Sequence, residues 1–214
     1  TSFTDVMTVK YSGRRTFFHQ RGANALLSQD HIPLHNISAR ILHLAYMLLL
    51  DRLDEFDQKD ERTKASYVFE EAKKLGFITS SDVVSEAGDR FAKVVKPSLP
   101  WIDYLFVNEY EASKITGIAV IFRGQIMVQK LIEAARELLR LGVREYVVLH
   151  YPDGAIAVSK SGEVFDQKAL KIPADQIKGA AGAGDAFASG VLYGIHEGWS
   201  MDLCLKAGVC AAAA

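Results

Sequence analysis

Apolar and polar positions along this chain follow two periods that take turns. Residues 41–49 form a nearly unbroken apolar run, interrupted by His43 and Tyr46. Such a run predicts a strand buried on both faces, with the two polar groups read as hydrogen-bonded members of the core. Residues 63–75 switch to helical spacing and are followed by Gly76, a common closing residue for a helix. The pattern then predicts a strand over 78–85, a helix over 86–95 stopped before Pro97, a strand over 104–107 and a short helix over 109–115 ending at Thr116-Gly117. Residues 125–141 carry Leu131, Ala135, Leu138 and Leu139 on one face and predict the clearest helix. Residues 145–150 are a continuous apolar strand, which Pro152-Asp153-Gly154 turns into 155–158 as a hairpin. A further strand is predicted over 6–11. Alternating strands and helices imply an α/β fold with a doubly wound, mostly parallel sheet and helices on both faces. No repeat, low-complexity stretch or linker divides it, so residues 1–214 read as one α/β unit.

In such sheets ligands lie at the carboxyl ends of strands. Asn108, His150 and the stretch Gly182-Ala183-Gly184-Asp185-Ala186-Phe187 all fall at or just after such ends. A run of Gly and Ala lets backbone N–H groups approach a ligand closely. The stretch opens a helix, whose first amides lack internal partners and carry the positive end of the dipole, a setting that suits phosphate. Asp185 stands in the first turn, where it is either a helix-capping residue or a carboxylate placed to accept a hydroxyl proton. Asn108 and Glu111 likewise read either as a cap and first-turn acid or as oxygen ligands. Glu109, between them, is expected to face solvent.

Composition narrows the partners. With 25 basic and 26 acidic residues the formal charge is -1, so nothing calls for nucleic acid or an anionic membrane. The longest apolar run is too short to span a bilayer. Cys204 and Cys210, the only cysteines, sit six apart on one apparent helix and so on different faces. They read as reduced thiols of a cytoplasmic protein.

The string Gly182 to Phe187, followed by a small and apolar helix, resembles the C-terminal signature of the ribokinase-like (phosphofructokinase B type) carbohydrate kinases. A second match runs from Asp103 through Asn108 and Glu111 to Thr116-Gly117, similar to that family's strand followed by Asn-x-x-Glu. A third, Gly13 to Ala25, resembles the segment bordering the sugar pocket in relatives. The three matches occur in the family's order along nearly the whole chain.

The resemblance implies an ATP-dependent kinase that uses Mg²⁺ and phosphorylates a hydroxyl of a sugar or sugar acid. Asp185 would be the base, with the amides of Gly182, Ala183 and Gly184 as the anion hole. Asn108 and Glu111 would hold Mg²⁺ through water, and His150 and Gly154 would flank the nucleotide. Arg15, Arg21 and Asn24 would face the sugar, with exposed turn residues as the other reading. Asp82 and Glu86 lie where relatives place a strand end near the sugar. Two departures stand out: Gly179 and Ala180 replace the Asp and Thr that commonly precede the signature, and His150 stands where a strand usually ends in Lys-x-Gly. A neutral His supplies no permanent charge to nucleotide phosphates. Both chain ends read as cut, with residues 1–25 a remnant of the strands near the sugar site and lid. The lid and N-terminal part would be largely missing. A homodimer is compatible with the resemblance. The competing expectation is a non-catalytic nucleotide- or sugar-binding relative, or an inactive fragment of such a kinase.

Overall fold

The computed structural model describes residues 1–9, 15–86, 88–173, 177 and 181–214. In chain order, an antiparallel pair comes first, β1 (Phe3–Thr8) and β2 (Arg15–Gln20). β3 (Ile41–Met47) follows, then a small pair, β4 (Phe56–Asp57) and β5 (Arg62–Thr63). Next are α1 (Lys64–Lys74), β6 (Ile78–Val83), α2 (Phe91–Val95), β7 (Tyr104–Asn108) and α3 (Glu109–Thr116). A second small pair, β8 (Ile121–Phe122) and β9 (Gln125–Ile126), leads to α4 (Val128–Arg140). The chain continues as β10 (Tyr146–Tyr151), β11 (Gly154–Ser159), β12 (Val164–Lys168), α5 (Ala183–His196) and α6 (Met201–Ala213).

The main sheet has the order β12-β11-β10-β7-β6-β3. β3, β6, β7 and β10 are parallel, while β11 and β12 return as antiparallel edge strands. Each parallel connection steps the same way across the sheet, and right-handed crossovers taken in one direction stack their helices on one face. Accordingly α1–α4 share a core with Leu105, Val107, Val147 and Leu149. The alternate side chains Phe106 and Val148 point the other way, against Phe187, Val191 and Leu205 of α5 and α6. The sheet is therefore covered on both faces, as the run of apolar strands implied.

Local chemistry sets the helix ends. Thr63 Oγ1 accepts from the Ser66 amide at 3.3 Å and caps α1, and Gly76 follows that helix. Three predicted boundaries shift for physical reasons. The helix expected from residue 86 begins only at Phe91, because Arg90 is turned back onto Glu86 and the Leu48 carbonyl. It then runs on as a 3₁₀ turn, Lys96–Trp101, that accommodates Pro97 in its first residues. The helix expected from 125 starts at Val128, since Gln125 and Ile126 pair with Phe122 and Ile121 around Arg123 and Gly124, both at positive φ. β3 stops at Met47, where its register against β6 breaks. Among the described residues, no helix is long and apolar enough to cross a membrane.

The first strand begins at Phe3 rather than Val6; Lys10, Tyr11 and Gly13 lie outside the described residues. The β1–β2 ribbon shows exposed apolar side chains on both faces, Val6 opposite Phe17 on one and Met7 and Phe18 on the other. Ser2 Oγ donates to the Arg21 carbonyl at 2.6 Å and to Asn24 Oδ1 at 3.0 Å, and Arg21 pairs with Asp51. Those contacts tie the ribbon to the body.

Candidate active site

The carboxyl ends of four parallel strands meet the start of α5 along one line. Register alone aligns part of it: His150 of β10 lies beside Asn108 of β7, and Asp82 of β6 beside Phe106. Tyr46 marks the end of β3, where a bulge between Leu44 and Met47 leaves it at φ 59°. Gly182 precedes α5 at φ 83°, a conformation that costs a residue without Cβ little. The turn so formed exposes the first amides of a 14-residue helix, with Asp185 in its first turn.

Asp185 is solvent-exposed, and its Oδ1 accepts a hydrogen bond from the Tyr46 hydroxyl at 2.7 Å. The Tyr46 amide in turn donates to Asp82 Oδ1 at 2.7 Å. Asp82 is mostly buried, and burial pushes its carboxyl up to about 6, with the Asp185 charge adding in the same direction. His43 donates or accepts at Ser80 Oγ (2.7 Å), as a satisfied polar group of the strand. Burial lowers its basicity, and the charge of Asp185 opposes that. Tyr46 departs from expectation: at 40% exposure it is a site residue rather than part of the core. The signal in the sequence was a phenol inside an otherwise aliphatic run, and the bulge that redirects it depends on a partner strand.

Asn108 and Glu111 form a closed pair. Asn108 Oδ1 accepts from the Glu111 amide at 2.8 Å, and Glu111 Oε2 accepts from the Asn108 amide at 2.9 Å, a capping box. Ser85 Oγ donates to Glu111 Oε1 at 2.7 Å and accepts from Asn108 Nδ2 at 2.9 Å. Glu111 is buried, and burial outweighs those donors and pushes its carboxyl up to about 7. Glu109 does not face open solvent as expected: it is half-buried, which raises its carboxyl as well.

His150 packs against Phe187 with ring centroids 5.6 Å apart, and its Nδ1 is buried without a partner among the described residues. Its Nε2 lies 3.1 Å from where a Cβ on Gly184 would stand, so a side chain at that step of α5 would press on the imidazole. Burial lowers the imidazole to about 4, so it is neutral near pH 7. Gly154 has a packing reason for its identity, since a Cβ there would stand 2.3 Å from the Gln167 carbonyl oxygen of β12. Gly179 and Ala180 lie outside the described residues. Arg15 stacks over Phe17 at 5.8 Å within the ribbon, while Arg21 and Asn24 are engaged in the contacts that anchor it. These three are not brought to Asp185 by any described contact.

A family model, described as pfkB family carbohydrate kinase, matches residues 3–214. The chain belongs to that family. Among curated relatives it is similar to a 5-dehydro-2-deoxygluconokinase of Listeria monocytogenes serotype 4a (strain HCC23), at 41% identity over 66 residues. That match covers 31% of this chain and 19% of the relative. A Clostridium perfringens protein of the same description is 35% identical over 81 residues, covering 38% of this chain and 23% of the relative. Matching segments thus span about a fifth of the curated relatives' length. The pfkB-family fold is shared with Anopheles gambiae adenosine kinase in complex with P1,P4-di(adenosine-5) tetraphosphate, with a TM-score of 0.79 at 19% identity, over 100% of this chain and 62% of that one. Arabidopsis thaliana ribokinase complexed with ribose and ATP aligns with a TM-score of 0.69 at 25% identity, over 99% of this chain and 62% of that one.

Proposed function

We propose that this pfkB-family chain carries the phosphoryl-transfer centre of an ATP-dependent sugar or sugar-acid kinase. One observation carries the reading: a single exposed carboxylate, Asp185, stands in the first turn of α5 directly behind the Gly182 turn and its unpaired amides. The acceptor hydroxyl oxygen would bond to the γ-phosphorus as the bond to the ADP oxygen breaks, and the hydroxyl proton would pass to Asp185. Amides of Ala183 and Gly184 meet the negative oxygens of the transferred group, with Gly182 supplying the turn that frees them. Neutral His150 walls this nest without adding charge, and Gly154 holds the neighbouring turn close to β12.

The donor set suits a hydrated magnesium ion. Asp82, Glu109 and Glu111 are carboxyls raised by burial near one another, with no cation among their hydrogen-bond partners in the described residues. Both oxygens of Glu111 already accept from the protein, so Asn108 and Glu111 would reach the ion through water. Among the described residues, no three His, Cys, Asp or Glu side chains are grouped so that they could hold a metal directly. When bound, the ion neutralises charge on the transferring phosphates.

The sugar would lie under the β1–β2 ribbon, which we infer is the lid-side remnant, with Arg15, Arg21 and Asn24 as its candidate contacts. The described similarity to 5-dehydro-2-deoxygluconokinases puts a keto-deoxy sugar acid first in the assay. The experiment measures ADP release from ATP and Mg²⁺ across sugars and sugar acids, using the full-length protein beside Asp185→Asn. Release that needs one acceptor and vanishes in the variant supports the kinase. ATP binding without any acceptor-dependent release would instead favour a nucleotide-binding relative without catalysis.

A further inference from the structure

Tyr46 is the one side chain that touches the carboxylate of Asp185 among the described residues. Its place there is maintained against cost. A bulky residue at φ 59° is a backbone outlier of the kind that persists only where surrounding structure over-determines it. Here the determinants are visible: the β3 bulge, the Asp82 carboxylate that holds the Tyr46 amide, and the Leu49 amide donating to the Tyr46 carbonyl at 3.0 Å. Leu48, two residues on, also takes a positive φ of 87°. The turn is pinned in turn by Asp54, which accepts from the Leu48 and Leu50 amides at 3.2 Å each. Nothing in packing requires this of the ring, since Tyr46 is exposed.

Asp185 presents two oxygens with different surroundings. Oδ1 is occupied by the phenol, whereas Oδ2 lies 4.0 Å from where a Cβ on Gly182 would stand, on the side of the Gly182 turn. We propose that Tyr46 is a positioning residue that fixes the Asp185 carboxylate through Oδ1 and leaves Oδ2, the oxygen toward the Gly182 turn, to take the acceptor's proton. This rests on the reading of Asp185 as the base. A free carboxylate rotates about its terminal torsion between roughly equivalent states; the phenol selects one. The titratable groups around the pair are Asp82 of β6, His43 of β3 and His150 of β10.

The test is Tyr46→Phe in the full-length chain, assayed against the best acceptor with ATP varied up to saturation, beside Asp185→Asn. The ring stays, so the fold is kept, which matched thermal midpoints will check. Loss of a hydrogen bond to a charged group predicts a fall in kcat of about 10-fold or more, with the KM for ATP unchanged. An independent readout uses ring-labelled tyrosine: burial and the Asp185 charge hold the Tyr46 hydroxyl above its ordinary range, so its resonance titrates at lower pH in Asp185→Asn. A Tyr46→Phe enzyme with unchanged kcat, while Asp185→Asn is inactive, overturns the positioning role alone. An active Asp185→Asn enzyme overturns the base reading and the proposal with it.

Discussion

At the residue scale, the buried and exposed acids of the site behave oppositely. Asp185 is exposed and makes one side-chain hydrogen bond among the described residues, so Asp185→Asn is expected to keep its thermal midpoint while kcat falls by about 10²–10⁴-fold. Glu111 belongs to the fold, and its ionisation works against it. Above about 4.5 the unfolded chain releases this proton, whereas the folded chain keeps it up to about 7. This group's contribution to stability therefore declines as pH rises through that window, and Glu111→Gln removes that share of the decline. Urea midpoints measured from pH 4 to 8 should show the variant gaining on the wild type between those limits. Parallel curves would mean that burial of Glu111 is not the cause. The sequence made Asp185, Asn108 and Glu111 legible because their signals are local, a Gly-rich turn and a four-residue capping pattern. Tyr46 was not legible, since its exposure depends on Asp82 reaching over from another strand.

At the scale of elements, α5 and α6 meet backbone to backbone. A Cβ added to Gly190 of α5 would stand 2.7 Å from the Ala207 carbonyl oxygen and 2.9 Å from the Gly208 Cα, all backbone that cannot rotate aside. Gly190→Ala gains about 1 kcal/mol of helix propensity but must part the helices, at an overpacking cost of about 1–3 kcal/mol. The expected outcome is a lower thermal midpoint together with reduced turnover, because α5 also carries Asp185. An unchanged midpoint would show that the helices can slide apart freely. The same scale explains what periodicity missed. β12 alternates exposed and half-buried residues along FDQK after Val164, a weak signal on an edge strand. β8 and β9 are two residues each and depend on the positive φ of Arg123 and Gly124, which no apolar period reveals.

For the whole molecule, the mostly parallel sheet was legible from the alternation of strands and helices, and Asn108 and His150 stand at the carboxyl ends of their strands, where such sheets hold ligands. The ribbon is different, since its apolar side chains show on both faces and its few ties to the body are polar. A two-stranded ribbon is marginal by itself. Arg21→Ala should therefore speed proteolytic cleavage within β1 and β2 while leaving the main unfolding transition in place, as expected for sites with no shared partners. Cleavage at the wild-type rate would show that the Ser2 contacts suffice.

The sheet also divides the interior into two compartments that share only its backbone: α1–α4 on one side, α5 and α6 on the other. Cooperative units in proteins often follow such divisions, opening separately and exchanging their amide hydrogens at different rates. Asp185, the proposed base, rides on the smaller compartment, whereas Tyr46, Asn108 and His150 belong to the sheet itself. A ligand seated between them clasps the two together. Its binding should thus slow amide exchange in α6, a helix with no residue at the site, and the size of that slowing measures how much of the ligand's affinity is spent keeping the smaller compartment closed.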